Sequence, residues 1–235
     1  MSVGGWTRQL SVYPPIKSHL EPQGFLDVGF TWIDEPMVSL RATERLKLQP
    51  VYALAGAPVT SHDMFLRTCV AERLISAISL LPESLGMIVL DAHRPLNVQA
   101  WLWNEMVTIV TREHPDWDQD AIKVHARKFV AYPEILPNRP TPHSTGGAVD
   151  VTLFDIETGD ALDMGSGFDE PVDASVCDYY ERHPHAVFTD RRRMLFDVMS
   201  RCGFANYPGE WWHFEYGTLR WAAATGAPAA IYNAV

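Results

Sequence analysis

Four prolines crowd one short segment and separate a part of the chain with helical periodicity from a part with strand periodicity. They are Pro133, Pro137, Pro140 and Pro142. Proline lacks the backbone N–H that helices and sheets both use, so regular structure is not expected here before His143. The fold must therefore be assembled from elements on either side of an irregular segment.

Before the prolines, apolar residues recur mostly every three or four positions. This spacing predicts a helix over residues 61–81, SHDMFLRTCVAERLISAISLL, which Pro82 ends. A second helix is expected with Pro95 in its first turn, and a shorter one over residues 118–131. Between the first two helices, the β-branched run GMIVLDAHRP predicts a buried strand that ends near Asp91.

After the prolines, the pattern changes toward strands and turns. GAVDVTLFD alternates and predicts a strand, and the aromatic-rich EWWHFEY predicts a last strand. LDMGSGFDEP between them is expected to be a glycine-rich loop. One more helix, capped by Thr189 or Asp190, is expected to end at Gly203.

Three adjacent arginines, residues 191–193, lie at the start of that last helix. The helix macrodipole disfavours cations at this end, so solvated charge is the expected state. The alternative is that one arginine pairs with a carboxylate such as Asp155 or Asp169 and orders the glycine-rich loop.

Helices interleaved with strands, with the β segments clustered in the second half, predict an α+β fold rather than a doubly wound parallel sheet. We expect a single domain over residues 1–235, with a small, mostly antiparallel sheet packed with helices. Residues 1–40, rich in Pro, Gly and aromatics, are expected to wrap the core in extended form, and residues 217–235 to form a C-terminal tail. No repeat or low-complexity tract marks a second domain.

Charge and cysteine content narrow the function classes. The chain has 19 basic and 29 acidic residues, for a net charge of −10, which disfavours nucleic acid or an anionic membrane surface as partner. The start, MSVGGWTRQL, lacks the pattern of a secretory signal, and a cytoplasmic location is expected. Three widely spaced cysteines suggest neither a disulfide framework nor a thiolate zinc site. A small-molecule or peptide substrate fits this composition best.

Two short segments carry residues suited to a metal site. TPHSTGGAVDVTL places His143 and Asp150 on either side of a Gly-Gly pair that could reverse the chain as a hairpin. GEWWHF places Glu210 and His213 three residues apart. Each segment alone also fits a structural role: the first a solvated histidine in a turn, the second a core histidine beside a surface glutamate.

Taken together, the two segments outline a hydrolase site. His143, Asp150 and His213 are residue types that bind catalytic zinc, which usually has three protein ligands and an open position for water. Glu210 could then transfer protons at that position. Arg94, at the exit of the predicted buried strand, could stabilise an oxyanion or could instead form a salt bridge between loop and core.

Several stretches also resemble a known family. HSTGGAVDVTL, DMGSGFD, RRRMLFDVMSRCGF and EWWHFEY, with DAHRP upstream, look like the zinc D-alanyl-D-alanine dipeptidases of the vancomycin-resistance (VanX-like) type. These belong to the wider D-Ala-D-Ala metallopeptidase group, which has a Hedgehog-like fold. The resemblance runs from about Gly29 to Tyr216, and its combination of His-x6-Asp with Glu-x-x-His is specific.

The resemblance implies one zinc ion per chain, with three ligands, His143, Asp150 and His213. It implies that Glu210 is the general base and acid and that Arg94 stabilises the transition state. Asp169 matches the carboxylate that receives the free amino group of the dipeptide. Thr141 stands where a hydroxyl residue meets the C-terminal carboxylate of the substrate.

Two positions depart from the family pattern, and both lie around the substrate rather than at the metal. The segment SLRATERLKL has no aromatic residue where family members carry a tyrosine beside an Arg. His93 replaces the tyrosine commonly found just before the Arg-Pro pair, and it could serve as an alternative polar contact for the substrate.

The expected function is zinc-dependent hydrolysis of D-Ala-D-Ala or a related small D-configured dipeptide, in cell wall biogenesis or degradation. One alternative is a D,D-carboxypeptidase or other small-peptide hydrolase of the same fold. Another is a non-catalytic zinc-binding recognition module, which would be marked by loss of Glu210 or Arg94, and both residues are present.

Overall fold

Short strands and helices alternate along the chain. The structure, a computed structural model, describes residues 12–17, 20–59, 61–127, 129–130, 132–133 and 139–235. The strands are β1 (Met37–Ser39), β2 (Leu46–Leu48), β3 (Phe65–Arg67), β4 (Leu85–Asp91), β5 (Ala148–Asp155), β6 (Ala205–Asn206) and β7 (His213–Glu215). The α-helices are α1 (Val51–Leu54), α2 (Thr68–Ser79), α3 (Leu96–Glu113), α4 (Gln119–Ala126), α5 (Tyr179–Arg182), α6 (Ala186–Arg201) and α7 (Leu219–Thr225).

The main sheet has five strands in the order β2-β4-β5-β7-β6. β2 runs parallel to β4, and the other three neighbouring pairs are antiparallel. β1 and β3 form a separate antiparallel pair. The predicted α+β class and mostly antiparallel sheet are therefore confirmed.

The two faces of this sheet differ in their side chains, as β5 shows most clearly. Successive side chains of a strand point to opposite faces. Val149, Val151 and Leu153 lie on the face that joins the hydrophobic core with residues of α2 and α6. Asp150 lies on the other face, beside His213 of β7. The polar site is thus built on one face of the sheet and the core on the other.

The predicted helix over residues 61–81 begins later than its periodicity indicates. α2 starts at Thr68, because Phe65–Arg67 form β3 and pair with Met37–Ser39 of β1. This pairing joins residues far apart in the sequence, and a local pattern of apolar spacing cannot reveal it. The first turns of the predicted helix were therefore wrong.

Two further boundaries agree with the sequence, and one helix is shorter. β4 ends at Asp91 as predicted, and α3 begins within one residue of the predicted start, with Pro95 as its N-cap rather than in its first turn. The helix expected over residues 118–131 is observed as α4 with Asp118 as its N-cap, and it ends at Ala126. Two positions of the predicted stretch, 128 and 131, lie outside the described residues.

α6 begins earlier than predicted but ends where expected. His185, rather than Thr189 or Asp190, caps the helix, and its side chain accepts a hydrogen bond from the backbone N–H of Phe188. Gly203 follows the C-cap with a φ of 86°, a left-handed conformation that glycine adopts readily.

Arg192 is buried, which corrects the expectation of solvated charge at residues 191–193. Its side chain is only 2% exposed and donates hydrogen bonds to the carbonyl oxygens of Met164, Val176 and Ala174 and to the hydroxyl of Ser166. Burial lowers the pKa of this guanidinium to about 10. An arginine does order the glycine-rich loop, but through carbonyl oxygens rather than through a carboxylate.

A segment around residues 30–31 runs beside the C-terminal part of the chain. Phe30 pairs with Ala230 in an isolated parallel bridge, and the N–H of Thr31 donates to the carbonyl of Ala230 at 2.8 Å. Tyr232 is buried with 1% exposure. The range 217–235 also contains α7. Among the described helices, none has the length and apolar character needed to cross a bilayer.

The Gly-Gly pair forms a turn that differs from the predicted hairpin. His143–Thr145 make one turn of 3-10 helix, Gly146 follows with a φ of 70°, and the chain then enters β5 directly. The backbone of Gly147 lies so close to its neighbour that an added Cβ would be 2.5 Å from the carbonyl oxygen of Tyr216. The turn is therefore fitted against the segment that follows β7.

We predict that Gly147→Ala lowers the free energy of unfolding by roughly 1–3 kcal/mol, because the new methyl group must push backbone away from backbone. Urea denaturation measures this loss. The control is Gly29→Ala, whose Cβ would lie 3.9 Å from the carbonyl oxygen of Pro228, an ordinary contact distance, and which should change stability by less than about 1 kcal/mol. Equal losses in the two variants would contradict the close packing at Gly147.

Candidate metal centre

Asp150 and His213 are brought together by the register of two antiparallel strands. They are direct partners across β5 and β7, so their side chains share one face of the sheet. Nδ1 of His213 lies 3.0 Å from Oδ1 of Asp150. On the other side, Asp91 of β4 is paired with Asp150, which places three polar residues in a row across three strands.

His143 completes a cluster of three possible metal ligands. Its Nε2 lies 3.1 Å from Nδ1 of His213 and 3.4 Å from Oδ2 of Asp150, and all three residues are buried. Two ligands bound at zinc–ligand distances of about 2.0–2.1 Å with tetrahedral angles are separated by roughly 3.3 Å. The donor types and their spacing therefore fit a zinc ion.

Hydrogen bonds orient both imidazoles toward the centre of the cluster. Nδ1 of His143 donates to the carbonyl oxygen of Ala92 at 2.7 Å, which leaves the lone pair of Nε2 free for a metal. Nε2 of His213 lies 2.9 Å from the Glu215 carboxylate, which can only accept, so the lone pair is on Nδ1. Partners of this kind fix the tautomer and orientation of metal-binding histidines.

Glu215 is itself held firmly. Its carboxylate accepts hydrogen bonds from the hydroxyl of Thr218 and the guanidinium of Arg220. Arg220 also pairs with Glu21 at 2.9 Å. Burial would raise the pKa of Glu215, but Arg220 and His213 outweigh it and lower that pKa to about 2. The support of His213 thus extends through a chain of charges to the N-terminal part of the protein.

The charges around the cluster favour a cation. Burial raises the pKa of Asp150, but His143 and His213 outweigh this effect and hold it well below its usual value. Burial lowers the pKa of His213, but hydrogen bonds and charges from Asp150 and Glu215 raise it to about 10 in the absence of metal. The negative charge of the buried carboxylates therefore favours a positive charge between them, which a divalent ion can supply.

Glu210 lies at the edge of this cluster, in the turn between β6 and β7. Its Oε2 is 3.9 Å from Nδ1 of His213, and its side chain is 31% exposed. Limited hydration in the cleft raises the pKa of the carboxyl to about 7. A bound divalent cation would lower this pKa, because its charge favours the ionised form.

Arg94 lies on the opposite side of Asp150 and makes contacts in several directions. Its Nε donates to Asp91 at 2.8 Å, Nη1 to Gln99 at 2.8 Å and Nη2 to the hydroxyl of Tyr52 at 3.2 Å. Nη2 also lies 3.6 Å from Oδ2 of Asp150. Burial opposes the charge of the guanidinium, but its interactions with Asp91, Tyr52 and Asp150 outweigh burial and raise its pKa.

Asp169 stands on the glycine-rich loop and points to the same region. Its Oδ2 accepts a hydrogen bond of 2.5 Å from the hydroxyl of Tyr52. Its backbone has a φ of 55°, the only left-handed φ at a non-glycine residue in the described part of the chain. Asp169 is exposed, so its carboxylate remains open to a ligand.

The remaining two candidates lie nearby in less direct positions. Thr141 precedes the turn of His143, and its carbonyl oxygen accepts hydrogen bonds from the N–H and hydroxyl of Ser144. His93 lines a small cavity of about 50 Å³ together with Tyr52 and Arg94. Burial lowers the pKa of its imidazole, whose Nε2 has no partner among the described residues.

Sequence reasoning did not identify three residues that support this site. Asp91 lies within the quoted segment DAHRP, and Glu215 follows His213 by two positions on a strand, which places both side chains on one face. Those signals were available. No local sequence pattern marked Tyr52 as part of the site. Tyr52 nevertheless supplies an aromatic ring and a hydroxyl beside Asp169 and Arg94, whereas the segment SLRATERLKL supplies no aromatic residue.

In comparisons with known proteins, the chain is similar to D-alanyl-D-alanine dipeptidases. The family model of peptidase M15, described as D-Ala-D-Ala dipeptidase, matches residues 61–224. A D-alanyl-D-alanine dipeptidase of Synechocystis is 34% identical over 211 residues, which cover 80% of this chain and 84% of that protein. The Enterococcus faecalis enzyme of the same description is 34% identical over 81% of this chain and 92% of its own length. For the Escherichia coli enzyme, identity is 35% over 60% of this chain and 61% of its own length.

We predict that Glu215→Gln weakens zinc binding by about 10–100-fold, because the amide cannot orient and polarise His213 as a carboxylate does. Competition with a chelator of known zinc affinity measures the change. Glu113→Gln serves as the control, since Glu113 is an exposed residue on α3, and it should bind zinc like the parent protein. Unchanged affinity in Glu215→Gln would show that this carboxylate does not support the metal.

Proposed function

Because this chain belongs to the D-Ala-D-Ala dipeptidase family of metallopeptidases, we propose that it hydrolyses D-Ala-D-Ala or a closely related small D-configured dipeptide. The observation that carries the proposal is the buried cluster of two imidazoles and a carboxylate with a second carboxylate, Glu210, at its edge. This arrangement supplies both a metal site and a proton carrier within one cleft.

His143, Asp150 and His213 are proposed to hold the zinc ion. Bound there, zinc supplies a Lewis acid and lowers the pKa of water at its open position toward about 7. The protein itself contributes a fixed orientation of the two imidazole ligands. The bonds of His143 to Ala92 and of His213 to Glu215 keep each lone pair directed to the same point.

Glu210 is proposed as the general base and acid. Its partial exposure and its position beside His213 allow it to reach a water molecule in the cleft. Its carboxylate would accept a proton from the attacking water and then give that proton to the leaving amine. Limited hydration raises the pKa of Glu210, which favours uptake and holding of the proton until it passes to the amine. The charge of a nearby cation favours the ionised carboxylate that accepts the proton from water.

Arg94 is proposed to stabilise the negative charge that develops on the carbonyl oxygen of the substrate. A guanidinium has five N–H groups. Asp91, Gln99 and Tyr52 receive three hydrogen bonds from Arg94, which still leaves the group capacity for an oxyanion. Because these three bonds fix the guanidinium in advance, little reorganisation is needed during the reaction.

The two ends of the dipeptide are proposed to be bound by Asp169 and Thr141. The exposed Asp169 carboxylate would pair with the free amino group, and Thr141 would meet the C-terminal carboxylate. His93 is proposed as a further polar contact, supported by its unpartnered Nε2 in the small cavity beside Arg94. Such a site would favour substrates of two residues.

We also propose a cytoplasmic setting for this reaction, linked to cell wall metabolism. The cysteines Cys69, Cys177 and Cys202 are all free thiols, as is usual in a reducing compartment. Fractionation of cells that express the natural protein would test the location. Its recovery in an extracellular fraction would contradict this part of the proposal.

The substrate proposal is tested by offering the zinc-loaded protein free D-Ala-D-Ala and a pentapeptide that ends in the same two residues. We expect the value of kcat/KM for the dipeptide to be at least about tenfold higher, which corresponds to about 1.4 kcal/mol. Release of D-alanine measures both reactions. A preference for the pentapeptide would instead favour a D,D-carboxypeptidase.

The role of Glu210 is tested by Glu210→Gln. We expect kcat for D-Ala-D-Ala to fall by roughly 10²–10⁴-fold while the zinc content stays at one ion per chain, because the variant loses proton transfer but keeps the proposed ligands. Zinc is measured by atomic absorption and turnover by D-alanine release. Parental activity in this variant would remove Glu210 from the mechanism.

A further inference from the structure

Tyr52 lies between two groups that the proposed reaction uses at opposite ends of the scissile residue. It belongs to the short helix α1 and is buried, with 8% exposure. Its hydroxyl is 2.5 Å from Oδ2 of Asp169 and 3.2 Å from Nη2 of Arg94. One oxygen atom therefore joins the proposed receptor of the amino group to the proposed oxyanion donor.

The direction of these two hydrogen bonds is determined by chemistry. An arginine guanidinium can only donate, and an ionised carboxylate can only accept. The single proton of the Tyr52 hydroxyl must then go to Asp169, while the oxygen accepts from Arg94. Both bonds involve a charged partner, which makes them stronger than bonds between neutral groups.

The aromatic ring of Tyr52 adds two further contacts. The guanidinium of Arg94 lies over it, 4.6 Å from the ring centre. The ring of Phe168, the residue before Asp169, is 5.9 Å away between centroids. Tyr52 thus holds the Phe168–Asp169 pair by both its ring and its hydroxyl.

On the N-terminal side of Asp169, other residues anchor the loop. Arg192 holds Met164 and Ser166, and the hydroxyl of Tyr180 donates to the carbonyl of Gly165. Asp169 itself has a left-handed φ, which is unfavourable for a residue with a side chain. The bond from Tyr52 is the contact that fixes where its carboxylate stands.

We propose that Tyr52 is a positioning residue that fixes the carboxylate of Asp169 relative to Arg94 and thereby sets the length of substrate the site accepts. This inference rests on the proposed function. Because one hydroxyl contacts both groups, the Asp169 carboxylate and the Arg94 guanidinium are held close together. This closeness would admit only one residue between the amino group and the carbonyl that is cleaved. Selection of a free dipeptide then depends on a residue that does not itself bind the substrate.

The test is Tyr52→Phe, assayed with D-Ala-D-Ala and with its N-acetyl derivative, which lacks the amino charge. We expect KM for D-Ala-D-Ala to rise about tenfold or more, with kcat changed by less than about threefold. The preference for the free amine over the N-acetyl compound should fall by a similar factor. A general loss of stability would not alter this ratio.

Two variants serve as references. Tyr180→Phe removes a tyrosine hydroxyl that binds the same loop at Gly165, so it should loosen the loop yet leave the preference near the parental value. Asp169→Asn should lose the preference, and adding Tyr52→Phe to it should cause little further change. An unchanged preference in Tyr52→Phe, or additive effects in the double variant, would overturn the proposal.

Hydrogen exchange separates failure of this inference from failure of the proposed function. If the parent protein hydrolyses no dipeptide, the proposed function is wrong, but the positioning role can still be judged. The amides of residues 168–170 should exchange faster in Tyr52→Phe than in Tyr180→Phe, since Tyr52 contacts Asp169 whereas Tyr180 contacts Gly165. Equal exchange at these residues in the two variants would exclude the positioning role without reference to any substrate.

Discussion

Three carboxylates buried on one face of the sheet determine most of the surrounding structure. They are Asp91, Asp150 and Glu215. A buried carboxylate is unfavourable unless opposite charges and hydrogen-bond donors surround it. Arg94 pairs with Asp91 on one side, Arg220 pairs with Glu215 on the other, and the imidazoles of His143 and His213 lie between them. A zinc ion would add the remaining positive charge. The buried carboxylates that destabilise the metal-free protein are therefore the groups that favour metal binding.

The parts of the fold that depend on local sequence could be predicted. The apolar run of β4, the alternation of β5 and the capping glycine after α6 each follow from neighbouring residues alone. The ligand set His143, Asp150 and His213 was also predicted, first from residue types and then from family resemblance, and the structure brings all three together. The start of α2 could not be predicted, because it depends on the pairing of β3 with β1, a strand almost thirty residues earlier, and both β2 and α1 lie between the two.

The missed contacts have a common physical cause, which is that they join distant parts of the chain. Tyr52 and Asp169 are 117 positions apart, and only the folded loop brings them into contact. Arg192 lies near the start of the predicted helix, where local electrostatics argues for solvation, but the observed helix begins earlier, at Ala186. The burial of Arg192 arises because the glycine-rich loop and the residues just after it fold back and offer it carbonyl oxygens. Local rules describe the isolated segment correctly but omit partners that arrive from elsewhere.

The pairing of Asp150 with His213 has a consequence for how the protein matures. A slip of one residue between β5 and β7 would turn one of these side chains to the opposite face, and the cluster could not form. The ion can thus be captured only by chains whose central strands are correctly aligned, so metal binding and folding are thermodynamically linked. Zinc binding would then stabilise chains with the correct strand register over misaligned ones during folding, before any substrate binds.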